Sequence, residues 1–72
     1  MKNRVELSTF MNEKRVAKTF LVNNHYYEVE FMENDQVIRT DIMKTENGDE
    51  VTFHNEVYAE NAAENWVLGV KP

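Results

Sequence analysis

The composition of this 72-residue chain excludes several classes of protein. It has no cysteine, so disulfides and thiolate metal sites are excluded. No segment approaches the roughly 20 apolar residues that a membrane-spanning helix needs, and the N-terminal region lacks the apolar run of a signal peptide. We therefore expect one small soluble domain in the cytoplasm, with no membrane association.

The net charge of −5 is unevenly distributed along the chain. Residues 1–18 carry five basic and two acidic side chains, which leaves three basic and eleven acidic ones for residues 19–72. Phosphate binding requires clustered lysine and arginine, so the acidic body predicts no nucleic-acid binding. The ordinary role of such an acidic excess is to keep a small protein soluble.

Residues 1–15 are predicted to form an N-terminal arm, to which the sequence assigns no single structure. Residues 16–72 are predicted to form the single small α+β domain. Within the arm, Val5 and Leu7 alternate as in a strand, whereas Leu7 and Phe10 have helical spacing. The arm could be disordered, a short helix or an added strand. Its apolar residues argue against complete disorder.

Three polar pairs divide the next stretch into strands: Asn23-Asn24, Asn34-Asp35 and Asn47-Gly48. Each pair suits a two-residue hairpin turn, because Asn, Asp and Gly tolerate positive φ. The four predicted strands are residues 16–22, 25–33, 36–46 and 49–54. The sequence therefore predicts an antiparallel meander.

Pairing residues across these turns places one set of apolar side chains on one face of the sheet. In this register Phe20 faces Tyr27 and Phe31 faces Ile38. The complete set is Val16, Phe20, Val22, Tyr27, Val29, Phe31, Ile38, Ile42, Val51 and Phe53. We expect this face to form the core.

The stretch from Asn55 to Gly69 predicts an amphipathic helix that covers this face. Its apolar stripe consists of Tyr58, Ala59, Ala62, Ala63, Trp66 and Val67. The alanines allow close approach to the sheet, with Tyr58 and Trp66 as bulky anchors. Asn55 suits the N-cap and Gly69 the left-handed stop, although a capping box at Asn61 would start a shorter helix. The predicted fold class is α+β, a four-stranded antiparallel meander with one C-terminal helix packed on one face.

The opposite face of the predicted sheet carries apolar spots that suit a partner, a second copy or the folded-back arm. One spot joins Leu21 with Tyr26, and another joins Met32 with Val37. Scattered surface apolar residues are the alternative explanation. The candidate partner-binding residues on this face and on the acidic side of the helix are Tyr26, Met32, Val37, Arg39, Met43, Glu56, Glu60 and Glu64.

Patterns for catalysis and metal binding are weak. His25 and His54 have no His, Cys or carboxylate at the close spacing of a metal motif, so no metal or cofactor is expected. Glu28 is predicted to face Asp41, and two such carboxylates can form an acid–base pair. On an open sheet face without a pocket, we instead interpret them as two solvated acids. We expect no enzyme activity. A pocket lined by His25, or by Glu28 and Asp41, would be needed for a small enzyme.

These patterns favour protein recognition, by a small acidic non-catalytic protein-binding module that binds a protein partner or itself. One alternative is a homo-oligomeric structural protein that uses the second sheet face. Another is an acidic nucleic-acid mimic, whose binding would weaken steeply with salt. The carboxylates of such a mimic are Asp35, Glu46, Asp49, Glu50, Glu56, Glu60 and Glu64.

The layout from Val51 to Trp66 resembles that of small bacteriophage proteins, the inhibitors of bacterial RNA polymerase of the phage T7 type. The shared features follow a strand and are Tyr58, Ala59, Glu60, Ala62, Ala63 and Trp66. The resemblance implies a phage-encoded, non-catalytic regulator or inhibitor that binds a host protein in the host cytoplasm. The chain departs from that family in its additional hairpins and its basic arm, so no functional residue is carried over.

Overall fold

A computed structural model describes residues 3–43 and 56–69 of the chain. The elements in these ranges are β1 (Arg4–Asn12), β2 (Arg15–Val22), β3 (Tyr26–Glu33), β4 (Gln36–Ile42) and α1 (Glu56–Leu68). The strands form one antiparallel sheet in the order β1-β2-β3-β4, and α1 packs against β1, β2 and β3. The predicted class, an α+β antiparallel meander with one C-terminal helix on one face, is confirmed.

The N-terminal arm contributes the first strand of this sheet. Arg4–Asn12 pairs with β2, so the added strand is the alternative that the structure shows. An extra residue, Leu7, interrupts the pairing as a β-bulge. The bulge breaks the two-residue alternation and accounts for the helical spacing from Leu7 to Phe10 in the sequence. The predicted strand 49–54 and the Asn47-Gly48 turn lie outside the described residues.

Polar turns join β2 to β3 and β3 to β4. Asn34 and Asp35 have φ of 54° and 66° and form the predicted two-residue turn. Asn23 and Asn24 also have positive φ, 53° and 54°, but His25 adds a third residue to their loop. The prediction of a two-residue turn at this loop is therefore wrong by one residue.

That extra residue reverses the two faces of β2. Leu21, and not Phe20, pairs with Tyr27. The residues of β2 on the helix side are Ala17, Thr19 and Leu21. The residues that the register wrongly predicts there, and that point to the other side, are Val16, Phe20 and Val22. Phe20 is nevertheless buried, on the face away from the helix.

A second β-bulge reverses the faces of β4 after Val37. Ile38 is the extra residue, because Phe31 pairs with Arg39. The predicted pairing of Phe31 with Ile38 is wrong, and the predicted core residues Ile38 and Ile42 are exposed. The side chains that reach the helix side from this end of the sheet are those of Arg39, Asp41 and Met43.

The core lies between α1 and one face of the sheet. Ala59 and Ala63 are fully buried, so the helix comes close to the strands, as its small residues predict. The ring of Trp66 lies 5.0 Å from the ring of Phe31. Tyr58 is 63% exposed, so the prediction that it anchors the helix is wrong. The buried cluster consists of Ala17, Tyr27, Val29, Phe31, Ala59, Ala63 and Val67.

The helix begins at Glu56, which confirms the longer of the two predicted helices and excludes a start at Asn61. The predicted cap Asn55 lies outside the described residues. Glu56 lies in the first turn, where its negative charge suits the positive end of the helix dipole.

The C-terminal end of α1 is held by the first hairpin. Gly69, with φ of 77°, provides the predicted left-handed stop. Asn12 Nδ2 donates to the carbonyl oxygen of Val67 at 2.9 Å, and Arg15 Nη1 donates to that of Trp66 at 2.8 Å. Since α1 has no basic residue in its last turn, Arg15 supplies the positive charge that stabilises this end of the helix dipole.

Candidate functional site

The face of the sheet away from the helix carries a continuous row of four apolar side chains. Met11 of β1 pairs with Val16 of β2. Val16 pairs in turn with Met32 of β3, which pairs with Val37 of β4. Directly paired residues of an antiparallel sheet point to the same side, so all four are neighbours on one surface. This set of residues is named the Met–Val row below.

The Met–Val row is open to solvent, most of all at its two ends. Met11 is 72% exposed and Val37 is 53% exposed, while Val16 and Met32 are half-buried. Single exposed apolar residues are ordinary on protein surfaces. A row that crosses a whole sheet is contiguous apolar surface, of the kind that partners cover. The row is therefore the candidate contact surface.

A polar row borders the Met–Val row on the same face. The register places its members side by side on the four strands, and they are Thr9, Lys18, Glu30 and Thr40. Lys18 Nζ lies 3.6 Å from Glu6 Oε1, and Arg4 Nη2 donates to Glu30 Oε2 at 3.2 Å. The polar row thus has one basic and one acidic position, on the two central strands.

Arg4 lies over the apolar surface beyond the polar row. Its guanidinium carbon is 3.7 Å from the centroid of the Phe20 ring, and its Nε is 3.1 Å from Glu28 Oε1. The Glu28 side chain is only 4% exposed, so the guanidinium meets a buried carboxylate as well as an aromatic face. The face of the sheet away from α1 is called the helix-free face below. It has a closed end at Arg4 and an open end at the Met–Val row.

Three of the five sheet residues predicted to bind a partner lie on this face. Met32 and Val37 belong to the Met–Val row, and Tyr26 lies half-buried near the closed end. Arg39 and Met43 lie on the helix side, because the bulge in β4 reverses that strand. The prediction that all five residues share one surface is wrong.

The sequence does not predict two members of the Met–Val row as contact residues. Val16 is predicted in the core, because the predicted loop after β2 is one residue too short, and Met11 belongs to the N-terminal arm, to which the sequence assigns no single structure. A two-residue turn at Glu13-Lys14 would have paired the two residues. Glu13 has φ of 56°, which is uncommon for glutamate, so the turn has no strong signal in the sequence.

The remaining two predicted sheet residues line a groove between β4 and α1. The groove has a volume of about 230 Å³, and its apolar walls include Phe31 and Trp66. The guanidinium carbon of Arg39 lies 4.5 Å from the centroid of the Phe31 ring, and its Nε lies 3.0 Å from Asp41 Oδ2. Because Arg39 and Asp41 balance each other in charge, the groove offers apolar walls without a net charge from this pair.

The three helix glutamates predicted as an acidic contact surface differ in their surroundings. Glu64 is exposed, whereas Glu56 and Glu60 are half-buried. The hydroxyl of Ser8 donates to Glu60 Oε1 at 3.4 Å. Burial, and then the negative charges of Glu56 and Glu60, raise the pKa of Tyr27 above its usual 10.0. Two of the three carboxylates thus interact with groups of the chain itself.

The two carboxylates predicted to face each other lie on opposite sides of the sheet. Glu28 pairs with Ile42 and points away from the helix. Asp41 pairs with Val29 and points towards the helix. The prediction that Glu28 faces Asp41 is therefore wrong, because the bulge in β4 separates the two carboxylates.

Of the two histidines, only His25 lies in the parts of the chain that can be described. His25 lies in the loop after β2, with its ring 6.1 Å from that of Tyr26. His54 and the predicted mimic carboxylates at positions 46, 49 and 50 lie outside those parts. Across residues 3–43 and 56–69, no three metal-ligating side chains form a group that could hold an ion. No helix in the same ranges has the length and apolar character to cross a membrane.

Fold and surface together define a small α+β protein with one open sheet face. No family model, curated protein or solved structure matches the chain. The resemblance to small phage inhibitors of bacterial RNA polymerase stays a prediction, and its residue Trp66 packs against the core.

Proposed function

We propose that this chain is a small acidic protein-binding module without catalytic activity, and that the Met–Val row is its contact surface. The observation that carries the proposal is that the row crosses all four strands and stays open, although Arg4 closes the other end of the same face. Burial of apolar surface is the interaction that such a row offers a protein partner. Because the sheet spaces the four side chains, the partner would meet a preformed surface.

The alternatives use residues that the fold separates or engages elsewhere. A nucleic-acid mimic would need free carboxylates on α1, but Glu56 and Glu60 are half-buried and lie close to Tyr27. A small enzyme that used the pair Glu28 and Asp41, rather than His25, would need both carboxylates on one side of the sheet. The finer proposal, a phage-encoded regulator of a host protein, rests on the resemblance in the C-terminal helix alone.

A photo-activatable residue in place of Met11 tests the proposed function. Crosslinking is performed in cells that produce the chain, and the products are identified by mass spectrometry. Val57 is the matched position for a control, because it is 64% exposed and apolar but lies on α1. We expect a defined protein adduct from position 11 and none from position 57. Equal labelling at the two positions, or no defined adduct at position 11, would contradict the proposal.

A further inference from the structure

We propose that the occupant of the Met–Val row is a second copy of this chain. The inference rests on the proposed function and names the partner of its contact surface. Two copies pack their helix-free faces together, related by a two-fold axis that runs parallel to the strands between the two sheets. This axis places β1 of one copy over β4 of the other, and β2 over β3.

The order of side chains along the Met–Val row selects this arrangement. From β1 to β4 the order is Met11, Val16, Met32, Val37. The two-fold axis reverses the order, so that each methionine of one copy lies against a valine of the other. A long unbranched side chain then packs against a short branched one at all four positions, which lets the two layers interdigitate.

The polar row supports the same arrangement through its charges. Reversal places Lys18 of one copy over Glu30 of the second copy, and symmetry produces this pair twice. Lys18 and Glu30 are already cross-strand partners within one copy, so the two copies form a square of alternating charges. Glu6 and Arg4 extend this square into a network, because they contact Lys18 and Glu30 within each copy.

A two-fold axis that runs along the row would also bring the two faces together, and it fits less well. It would place Met11 on Met11 of the second copy and Val16 on Val16, so long side chains would meet long ones. It would also carry the two polar rows to opposite sides of the contact, where Lys18 and Glu30 of the two copies cannot meet. Of these two axes, the one parallel to the strands satisfies both the apolar and the charged positions.

Matched valine variants provide the first test. Val37→Glu places a charge in the row, whereas Val57→Glu makes the same change at a similarly exposed position on α1. In analytical ultracentrifugation we expect a concentration-dependent dimer for the wild type and for Val57→Glu. Because each dimer would bury two added carboxylates, Val37→Glu should raise the dissociation constant by about a hundredfold or more. A wild type that stays monomeric, or a Val37→Glu dimer as tight as wild type, would overturn the proposal.

Charge-reversed variants test the orientation of the two copies. Lys18→Glu makes both central positions of the polar row acidic, and Glu30→Lys makes both basic, so each variant alone brings like charges together. We expect each dimer to be weaker than wild type by about tenfold or more. In an equimolar mixture, acidic positions meet basic ones, and a heterodimer should form with an affinity close to that of wild type.

Recovery on mixing separates this effect from a loss of folding, because a misfolded variant would stay unable to bind its counterpart. Circular dichroism of each variant confirms the fold independently. A mixture that remains as weakly associated as its two separate components would overturn the proposed two-fold axis.

The crosslinking experiment at position 11 distinguishes failure of this inference from failure of the proposed function. An adduct with a second copy supports both. An adduct with a different protein supports the binding module and overturns the second copy as occupant. Absence of any defined adduct contradicts both.

Discussion

The two faces of the sheet differ in how completely the chain covers their apolar side chains. On the helix side, Ala59 and Ala63 let α1 come close to the sheet. The core between α1 and the sheet is thus covered by the chain itself. On the helix-free side, Arg4 covers Phe20 while the Met–Val row stays open. The difference shows that apolar surface alone does not mark a contact site; the informative surface is the part that the chain leaves uncovered.

Two arginines make this contrast measurable, because each lies over a phenylalanine ring and beside a carboxylate. On the helix-free side, Arg4 meets Phe20 and the buried Glu28, and its own side chain is 32% exposed. On the helix side, Arg39 makes similar contacts with Phe31 and a carboxylate, but it is 56% exposed. Since water screens exposed charges, the same contacts should contribute more at Arg4.

The largest expected effect lies on the helix side. Trp66→Ala should lower the free energy of unfolding by about 3–5 kcal/mol, because the ring packs against Phe31 and the core. Tyr58→Ala is the matched control on the same helix, and its exposed ring should cost less than about 1 kcal/mol. Urea unfolding measures both. Equal losses for the two variants would mean that α1 does not pack through Trp66.

The closed end of the helix-free face comes next. Arg4→Met keeps an apolar side chain over Phe20 but removes the charge beside the buried Glu28, and should cost about 1–3 kcal/mol. Arg39→Met removes the corresponding charge in a more exposed position and should cost less than about 1 kcal/mol. Unfolding at low protein concentration compares them. A larger loss for Arg39→Met would reverse the assignment of the closed end.

The alkaline pH dependence of stability sharpens the description of the helix side. Burial and the charges of Glu56 and Glu60 raise the pKa of Tyr27 above 10.0 on folding. A group whose pKa is raised on folding contributes its full stability at pH values below its pKa in the unfolded state. This stability is lost as the pH rises through its pKa in the folded state. Stability should thus decline above pH 10, by at most about 1.4 kcal/mol per pH unit from this group. Tyr27→Phe should flatten the decline in urea titrations; parallel curves would contradict this expectation.

The smallest effect is expected at the open end. Val37→Glu should change the free energy of unfolding of the monomer by no more than about 0.5 kcal/mol, because the side chain already lies in solvent. Val57→Glu should behave alike. Both values come from thermal or urea unfolding at low concentration. A loss above about 1 kcal/mol at Val37 would place the Met–Val row in the core of the monomer.

The sequence predicts the orientation of β3 correctly and that of β2 wrongly, for a physical reason. In β3, Val29 and Phe31 alternate with Glu28 and Glu30, so the pattern allows one orientation only. In β2, apolar residues occupy both faces, and either register satisfies the hydrophobic pattern. Side chains alternate with a period of two, so the single extra residue His25 is enough to reverse the strand.

The sequence predicts the part of the candidate site that lies beside a recognisable turn, and not the rest. Met32 and Val37 meet across Asn34-Asp35, a turn whose residue types favour positive φ, and the sequence pairs them correctly. Met11 meets Val16 across a turn that begins with glutamate, which rarely adopts that conformation. The bulges at Leu7 and Ile38 likewise have no characteristic residue type from which they could be predicted.

The contacts from the first hairpin to the end of α1 also determine the order in which the fold can close. Asn12 and Val67 are 55 positions apart, and Arg15 and Trp66 are 51 apart. Contacts at such separation form late, because a long segment must first be brought together at an entropic cost. The pairs between neighbouring strands are more local, so the sheet can form before α1 docks on it. A chain truncated before residue 66 would lack both carbonyl acceptors, so its helix would lose these two contacts and cover the helix-side core less well.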